Sequence, residues 1–176
     1  MKLRNFLNYS PQLGDKVFID PTATVIGKVT IGDDSSIWPM AVIRGDVHEI
    51  TVGERTSVQD GSILHVTHAG KFNPAGFPLI IGNDVTIGHR VTLHGCEIQD
   101  HCLIGMSSTV MDGAIIESQV ILGAGSLVTP GKILDSNYLW MGSPVKKIRP
   151  LTVEEIQFIK YSAEYYVGLK NKYLVF

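Results

Sequence analysis

Three of the chain's six histidines, His65, His89 and His94, are the residues whose type and spacing point to chemistry. A neutral imidazole offers one strong nitrogen donor, and three of them leave a coordination position for water, the ligand set of catalytic rather than structural zinc. Nitrogen-only ligation favours zinc, with iron or cobalt as alternatives, over magnesium, which prefers oxygen. Each histidine alone reads as an ordinary surface residue. A shared ion requires a fold that brings the rings together, and that turns on the elements that carry them.

Those elements follow from a repeat. Ile19, Val25, Ile31, Ile37 and Ile43 come in steps of six, with Ala23, Val29, Ser35, Ala41 and Val47 four places behind them. Three residues are then inserted. Val52, Val58 and Leu64 resume the phase, Ile81, Ile87 and Leu93 take it up after an interruption, one residue is dropped, and Ile98, Ile104, Val110, Ile116, Leu122 and Val128 close the series. Such a period suits neither an amphipathic helix nor an alternating strand. It fits a short strand and a turn, one side of a three-sided coil of about 18 residues. The predicted fold is all-β, a left-handed parallel β-helix over residues 1–150 with aliphatic ladders inside, small residues at the corners and coils roughly 4.8 Å apart.

The register then places the histidines. Val52, Val58 and Leu64 occupy the three sides of one coil, and Ile81, Ile87 and Leu93 the same sides of the next. His65 and His94 each follow their ladder residue by one, so they share an outward column one strand spacing apart. His89 is two past Ile87, on the preceding side, and a prism edge separates it from the pair. One ion can still serve all three if a neighbouring copy brings its own His89 to the edge, which a cyclic homotrimer achieves. Asp60, two past Val58, stacks beneath His89, where its carboxylate can take a ring N–H. Gln59 can position water. If the three-residue insertion after Ile43 leaves the side count intact, Arg44 heads the column of His65 and His94, pairing with Asp46 locally or with a carboxylate across the interface. His48 and His101 lie outside the column and read as solvated or hydrogen-bonded. His68 lies near the same mouth and is a candidate proton carrier.

The rest of the chain narrows the classes. With 15 Lys and Arg against 17 Asp and Glu the net charge is −2, which provides no basic field for a nucleic-acid partner. The opening MKLRNFLNYSPQLGDK has no apolar signal core, and no apolar run is long enough to span a bilayer, so the expectation is a soluble cytoplasmic protein with no membrane partner. Cys96 and Cys102 match no redox or zinc-knuckle spacing and read as buried thiols. Residues 69–78, AGKFNPAGFP, read as a Gly/Pro-rich loop inserted into the coil, a candidate lid. From Leu151 the pattern changes: Thr152 to Glu155 form a capping box, followed by Ile156, Ile159, Ala163 and Val167 at helical spacing, with Tyr165, Tyr166 and Tyr173 nearby. This predicts a C-terminal helix over 151–176, lying along the β-helix or a neighbouring subunit.

The runs RGDVHEI, QDGSILHVTH, IGHRVTLHGC and YLWMGSPVKKIRPL resemble the signature of gamma-class carbonic anhydrases, and in particular their compact bacterial and archaeal branch of hexapeptide-repeat proteins. The resemblance covers nearly the whole chain. It implies a homotrimer with zinc between subunits, metal ligands at His65, His89 and His94, an interface ion pair at Arg44 and Asp46, and a water-positioning pair at Gln59 and Asp60. It also implies an active-site tyrosine at Tyr138. Two glutamates of the best-studied form, one of them its proton shuttle, are replaced here by Val47 and His68. An imidazole, with a pKa of about 6.5, is a competent carrier in that place.

The expected function is zinc-dependent, reversible hydration of carbon dioxide to bicarbonate by metal-bound hydroxide at the trimer interface. Three alternatives stand beside it. The same centre can hydrolyse an acyl-coenzyme A thioester; a histidine can act as general base in acyl transfer from acyl-CoA, as in many hexapeptide-repeat proteins; or the chain can be a catalytically weak metal-binding scaffold.

Overall fold

The computed structural model describes residues 2–175. The six-residue period winds into a left-handed parallel β-helix of about eight turns, followed by one helix. Its first face stacks Phe18–Ile19, Ser36–Ile37, Ser57–Val58, Thr86–Ile87, Leu103–Ile104, Ile121–Leu122 and Tyr138–Met141, all parallel. The second stacks the start of the long strand Val42–Val52 with Ile63–His65, Thr92–His94, Thr109–Val110 and Leu127–Val128. The third continues from the end of that long strand through Leu79–Ile81, Glu97–Ile98, Ile115–Ile116 and Ile133–Leu134. The ladder residues point inward and are closed to solvent, Ile37, Ile43, Leu64, Ile87, Leu93 and Ile98 among them. No helix among the described residues is long and apolar enough to cross a membrane.

The repeat runs further than the aliphatic pattern suggests. Leu134 and Trp140 continue the series by sixes beyond Val128, both buried in the same core. Trp140 hid the last step because an aromatic residue stands in the ladder there. The three residues inserted after Ile43 are absorbed within Val42–Val52, which rounds a corner with a register shift against Gly27 and Val29. The side count therefore survives the insertion.

The corners carry two devices. Asp34, Met40, Arg55, Asp84, Arg90, His101, Ser107, Gln119 and Asn137 all have φ between 52° and 66°, the left-handed region that side chains other than glycine rarely adopt. The coil must turn sharply there, and coil-to-coil hydrogen bonding over-determines the conformation. The companion residue follows directly. At four corners it is a Ser or Thr whose buried hydroxyl donates to a carbonyl of the next coil: Ser35 to Gly53 (2.7 Å), Thr56 to Gly82 (2.8 Å), Ser62 to Gly88 (2.9 Å) and Ser108 to Gly123 (3.2 Å). These hydroxyls are small enough for the bend and leave no unpaired buried donor.

Residues 69–78, read above as a loop, belong to a hairpin. Thr67 pairs with Phe77 and Gly70 with Asn73, both antiparallel. The turn-forming residues of AGKFNPAGFP serve the tip, and the pairing begins in the flanking VTH, which carries no turn signal.

The C-terminal helix spans Val153–Leu174 and lies along the first face. The capping box forms as expected: Thr152 Oγ1 accepts from the Glu155 amide (3.2 Å) and Glu155 Oε2 accepts from the Thr152 amide (2.9 Å). The Arg149 guanidinium donates to both Glu155 oxygens at 2.8 Å, holding that carboxyl down at about 2. The buried stripe is Ile159, Ser162, Ala163 and Lys170, whereas Ile156 and Val167 are half-buried. Tyr173 and Tyr166 pack on Trp38, and Tyr173 also on Phe18. The wholly buried Lys170 donates to the Lys16 carbonyl (2.6 Å) and to Asp34 (2.7 Å). The end of the expected helix at Phe176 lies outside the described residues.

Two outcomes follow. Leu93→Ala, emptying a fully buried ladder position, should cost about 2–5 kcal/mol in urea unfolding. Glu155 has a depressed carboxyl, so its contribution is fully present above the ordinary value of 4.5 and is lost as pH falls toward about 2. Glu155→Gln should therefore lower the urea midpoint at neutral pH, and its gap from the wild type should close on acidification.

Candidate metal centre

Leu64 and Leu93 are register partners on the second face, and so are His65 and His94. Their rings stand 5.2 Å apart between centroids, with His65 Nδ1 3.2 Å from His94 Nε2. The far nitrogen of each ring meets a carboxylate. His65 Nε2 is 3.1 Å from Asp46 Oδ1, and His94 Nδ1 is 2.7 Å from Asp112 Oδ1. Arg44 heads the column and donates to the other oxygen of Asp46 at 2.6 Å. Burial alone would raise the Asp46 carboxyl, but the hydrogen bonds from Arg44 and His65 outweigh it and hold the group below its usual range. His65 is pushed the other way: burial first, then the charges of Arg44 and His94, outweigh the pull of Asp46 and favour the neutral ring.

Assigned from the hydrogen-bond network, each ring carries its proton on the nitrogen that faces a carboxylate. Two lone pairs then face each other across the 3.2 Å gap, an arrangement that a bound cation would relieve. Two nitrogens on one tetrahedral zinc, each bound at 2.0–2.1 Å, stand about 3.3 Å apart. Imidazoles oriented by carboxylates behind them are the usual surroundings of metal-bound histidine. The residues fit the ion.

His89 is placed as the register predicts, at the edge between the first and second faces, with Nδ1 3.0 Å from Asp60 Oδ2. That contact occupies Nδ1 and leaves Nε2 as the donor available to an ion. Both side chains are about half exposed, 46% for His89 and 48% for Asp60. Within one chain His89 does not join the pair: among the described residues, no three His, Cys, Asp or Glu side chains stand close enough to hold an ion. Gln59 is buried beside Tyr166 of the helix. Burial, with the nearby Tyr165 and Asp60, raises the Tyr166 phenol, while the hydrogen bond with Gln59 pulls it down.

The remaining candidates lie further off. Tyr138 is on the first face three coils past Thr86–Ile87, near the opposite edge from His89, with Lys147 3.5 Å from its ring centre. The tyrosine beside Gln59 is Tyr166. His68 is exposed within the hairpin, its ring against Gly70. His48 and His101 are outside the pair: His48 approaches the Ala75 carbonyl at 3.3 Å and His101 faces Asp84 at 3.9 Å. Sequence reasoning missed two residues that its own register reaches. Asp112 is two past Val110, the partner of Leu93, and Tyr166 is one helical turn from Ala163.

An apolar groove opens beside Gln59 and Tyr166, between the helix and the first face, lined by Leu103, Ile104, Met106, Ile121 and Phe158. Both cysteines are buried and unpaired.

Comparisons with known proteins agree with the fold. Residues 10–45 and 95–130 match the bacterial transferase hexapeptide (six repeats) family. The protein YrdA of Escherichia coli (strain K12) is 55% identical over 98% of this chain and 94% of its own length. The mitochondrial gamma carbonic anhydrase 2 of Arabidopsis thaliana is 43% identical over 95% of this chain, which spans 60% of that longer protein. A solved structure of a hexapeptide transferase family protein from Anaplasma phagocytophilum superposes with a TM-score of 0.90 at 42% identity, covering 98% of each chain.

Burial pushes the Cys102 thiol up to about 12 and raises Cys96 as well. Neither should react with a thiol-specific reagent in the native protein at neutral pH, and both should react once it is unfolded in urea; fast native labelling of either would contradict the packing.

Proposed function

Because the chain belongs to the hexapeptide-repeat family, among the gamma carbonic anhydrase-like proteins, we propose that it is a metal-dependent enzyme that reversibly hydrates carbon dioxide to bicarbonate. The carrying observation is the pair of nitrogens facing each other at 3.2 Å, each ring braced from behind by a carboxylate. In this reading His65 and His94 of one subunit and His89 of the next hold zinc, with iron or cobalt as substitutes, in a homotrimer. The half-exposed position of His89 at the prism edge supports that division, because Asp60 occupies its Nδ1 and leaves Nε2 as the donor a neighbouring subunit could share.

A zinc held there supplies the acidity that lets water ionise at about pH 7, as in carbonic anhydrases generally. The chain's own residues supply the rest. Asp60 holds the His89 N–H and so fixes its tautomer. Gln59, pinned between the prism and Tyr166, presents a carboxamide that can orient a water molecule beside His89 and Asp60. Arg44 keeps Asp46 ionised, and Asp46 keeps the His65 proton on the nitrogen away from the metal position. His68, exposed on the hairpin, takes the outgoing proton where Val47 and His68 replace the glutamates of the best-studied gamma enzyme.

One observation favours a second reading, hydrolysis of a thioester at the same centre. The apolar groove beside Gln59 is larger than carbon dioxide requires and suits a short acyl or thiol arm.

The purified chain should carry zinc and sediment as a trimer. His89→Ala and His94→Ala should each lose metal and hydration activity. When the two variants are unfolded, mixed equally and refolded, about one interface in four, one half times one half, regains all three rings, and metal and activity should return to that extent. Metal retained by both single variants would sink the centre, and a mixture that recovers nothing would sink its sharing between subunits. Zinc-dependent turnover of an acyl thioester without carbon dioxide hydration selects the second reading, and metal-independent acyl transfer excludes both.

A further inference from the structure

We propose that Asp112 is the positioning residue of His94 and that Thr67 links it to the hairpin, so that metal uptake and closure of the hairpin are coupled. This rests on the metal centre proposed above and names a control of it.

Asp112 reaches His94 from the following coil. Its Oδ1 accepts from His94 Nδ1 at 2.7 Å and its Oδ2 accepts from Thr67 Oγ1 at 3.0 Å. One carboxylate therefore has its two oxygens on two different elements, a metal-facing ring and the base of the hairpin. Thr67 is the hairpin's closing position, exchanging both backbone hydrogen bonds with Phe77 at 3.1 and 2.9 Å. Phe77 in turn lies on Gly95 and Gly113, which flank the same site. Gly95 has φ +53°, and a Cβ there would fall 2.5 Å from Asp112 Oδ1 and 2.7 Å from the Phe77 Cβ. A side chain at 95 would displace Asp112 and the hairpin together.

The consequence is directional. With Asp112 in place, the His94 proton stays on Nδ1 and the Nε2 lone pair faces His65. Without it, the proton can move to Nε2 and block the gap. An ion bound to His94 Nε2 makes Nδ1–H a stronger donor, tightening the bond to Asp112, and the hairpin is held through the other oxygen of that group.

The test uses the full chain stripped of metal and titrated with zinc against a chromophoric chelator. Asp112→Ala should weaken zinc binding about 10- to 100-fold, and Asp112→Asn, which keeps an acceptor oxygen, should fall between it and the wild type. Nitrogen-resolved NMR of the zinc-free protein should show His94 protonated at Nδ1 in the wild type and at a mixture of sites in Asp112→Ala, a signature that a purely structural role would leave unmoved. Zinc should slow amide exchange at Thr67, Gly70 and Phe77 in the wild type and not in Thr67→Val. Wild-type zinc affinity in Asp112→Ala, or an unchanged His94 tautomer, overturns the role of Asp112. Equal protection of the hairpin in Thr67→Val overturns the coupling. A wild-type chain that takes up no zinc overturns this proposal and the metal centre together.

Discussion

Coil-to-coil register is the constraint on which the whole structure depends. A parallel coil hydrogen-bonds to its neighbour through every strand, and a slip of one residue would turn each ladder side chain from the core to the solvent. The aliphatic ladders prevent that slip because every inward position is closed to water. Leu64 and Leu93 are locked together for reasons of packing alone, and His65 and His94 follow as a geometric by-product. The chain breaks its own period three times, by insertion, hairpin and deletion. Each irregularity is confined to a corner or an excursion, leaving the pairing intact.

On that scaffold the polar side chains form a line. Arg44 holds Asp46, Asp46 holds His65, His65 faces His94, His94 is held by Asp112, and Asp112 by Thr67. Every link except the central one is a donor meeting an acceptor. In the tautomers assigned above the central link is two acceptors, the arrangement that the proposed metal ion would relieve. A network satisfied everywhere except at one place is costly in a low-dielectric setting unless that place has a partner. Here it coincides with the spacing of tetrahedral zinc ligands.

Much of this was legible in the residues. The period of six is a long signal repeated on three faces, so the coil, its side count and the column of His65 and His94 could be read by counting. Asp60 beneath His89 came from the same count. Other features depended on information that counting does not hold. Trp140 occupies a ladder position without looking aliphatic. Lys170 is buried in the helix stripe because Asp34 and a carbonyl await its ammonium, which no hydrophobic period reports. Met40, Arg55 and Arg90 turn corners in a conformation usually left to glycine, since the stack rather than the residue selects it. Tyr138 followed from likeness to relatives; the tyrosine that meets Gln59 lies on the helix, whose rotation about its axis is set by packing.

The return path of the helix changes how such a stack comes apart. Solenoid repeats touch only adjacent repeats, so in principle a stack can peel from either end, one coil after another. Here the helix starts at the last coil, where Arg149 grips its first turn, crosses the middle through the bond of Ser162 to Thr86, and ends on the first coils, where Lys170 reaches the Lys16 carbonyl and Tyr173 covers Phe18. It acts as a tie bar between the two free ends. Fraying of the opening coil must tear out a buried ammonium before the next coil can follow, so a nearest-neighbour array becomes a single melting unit.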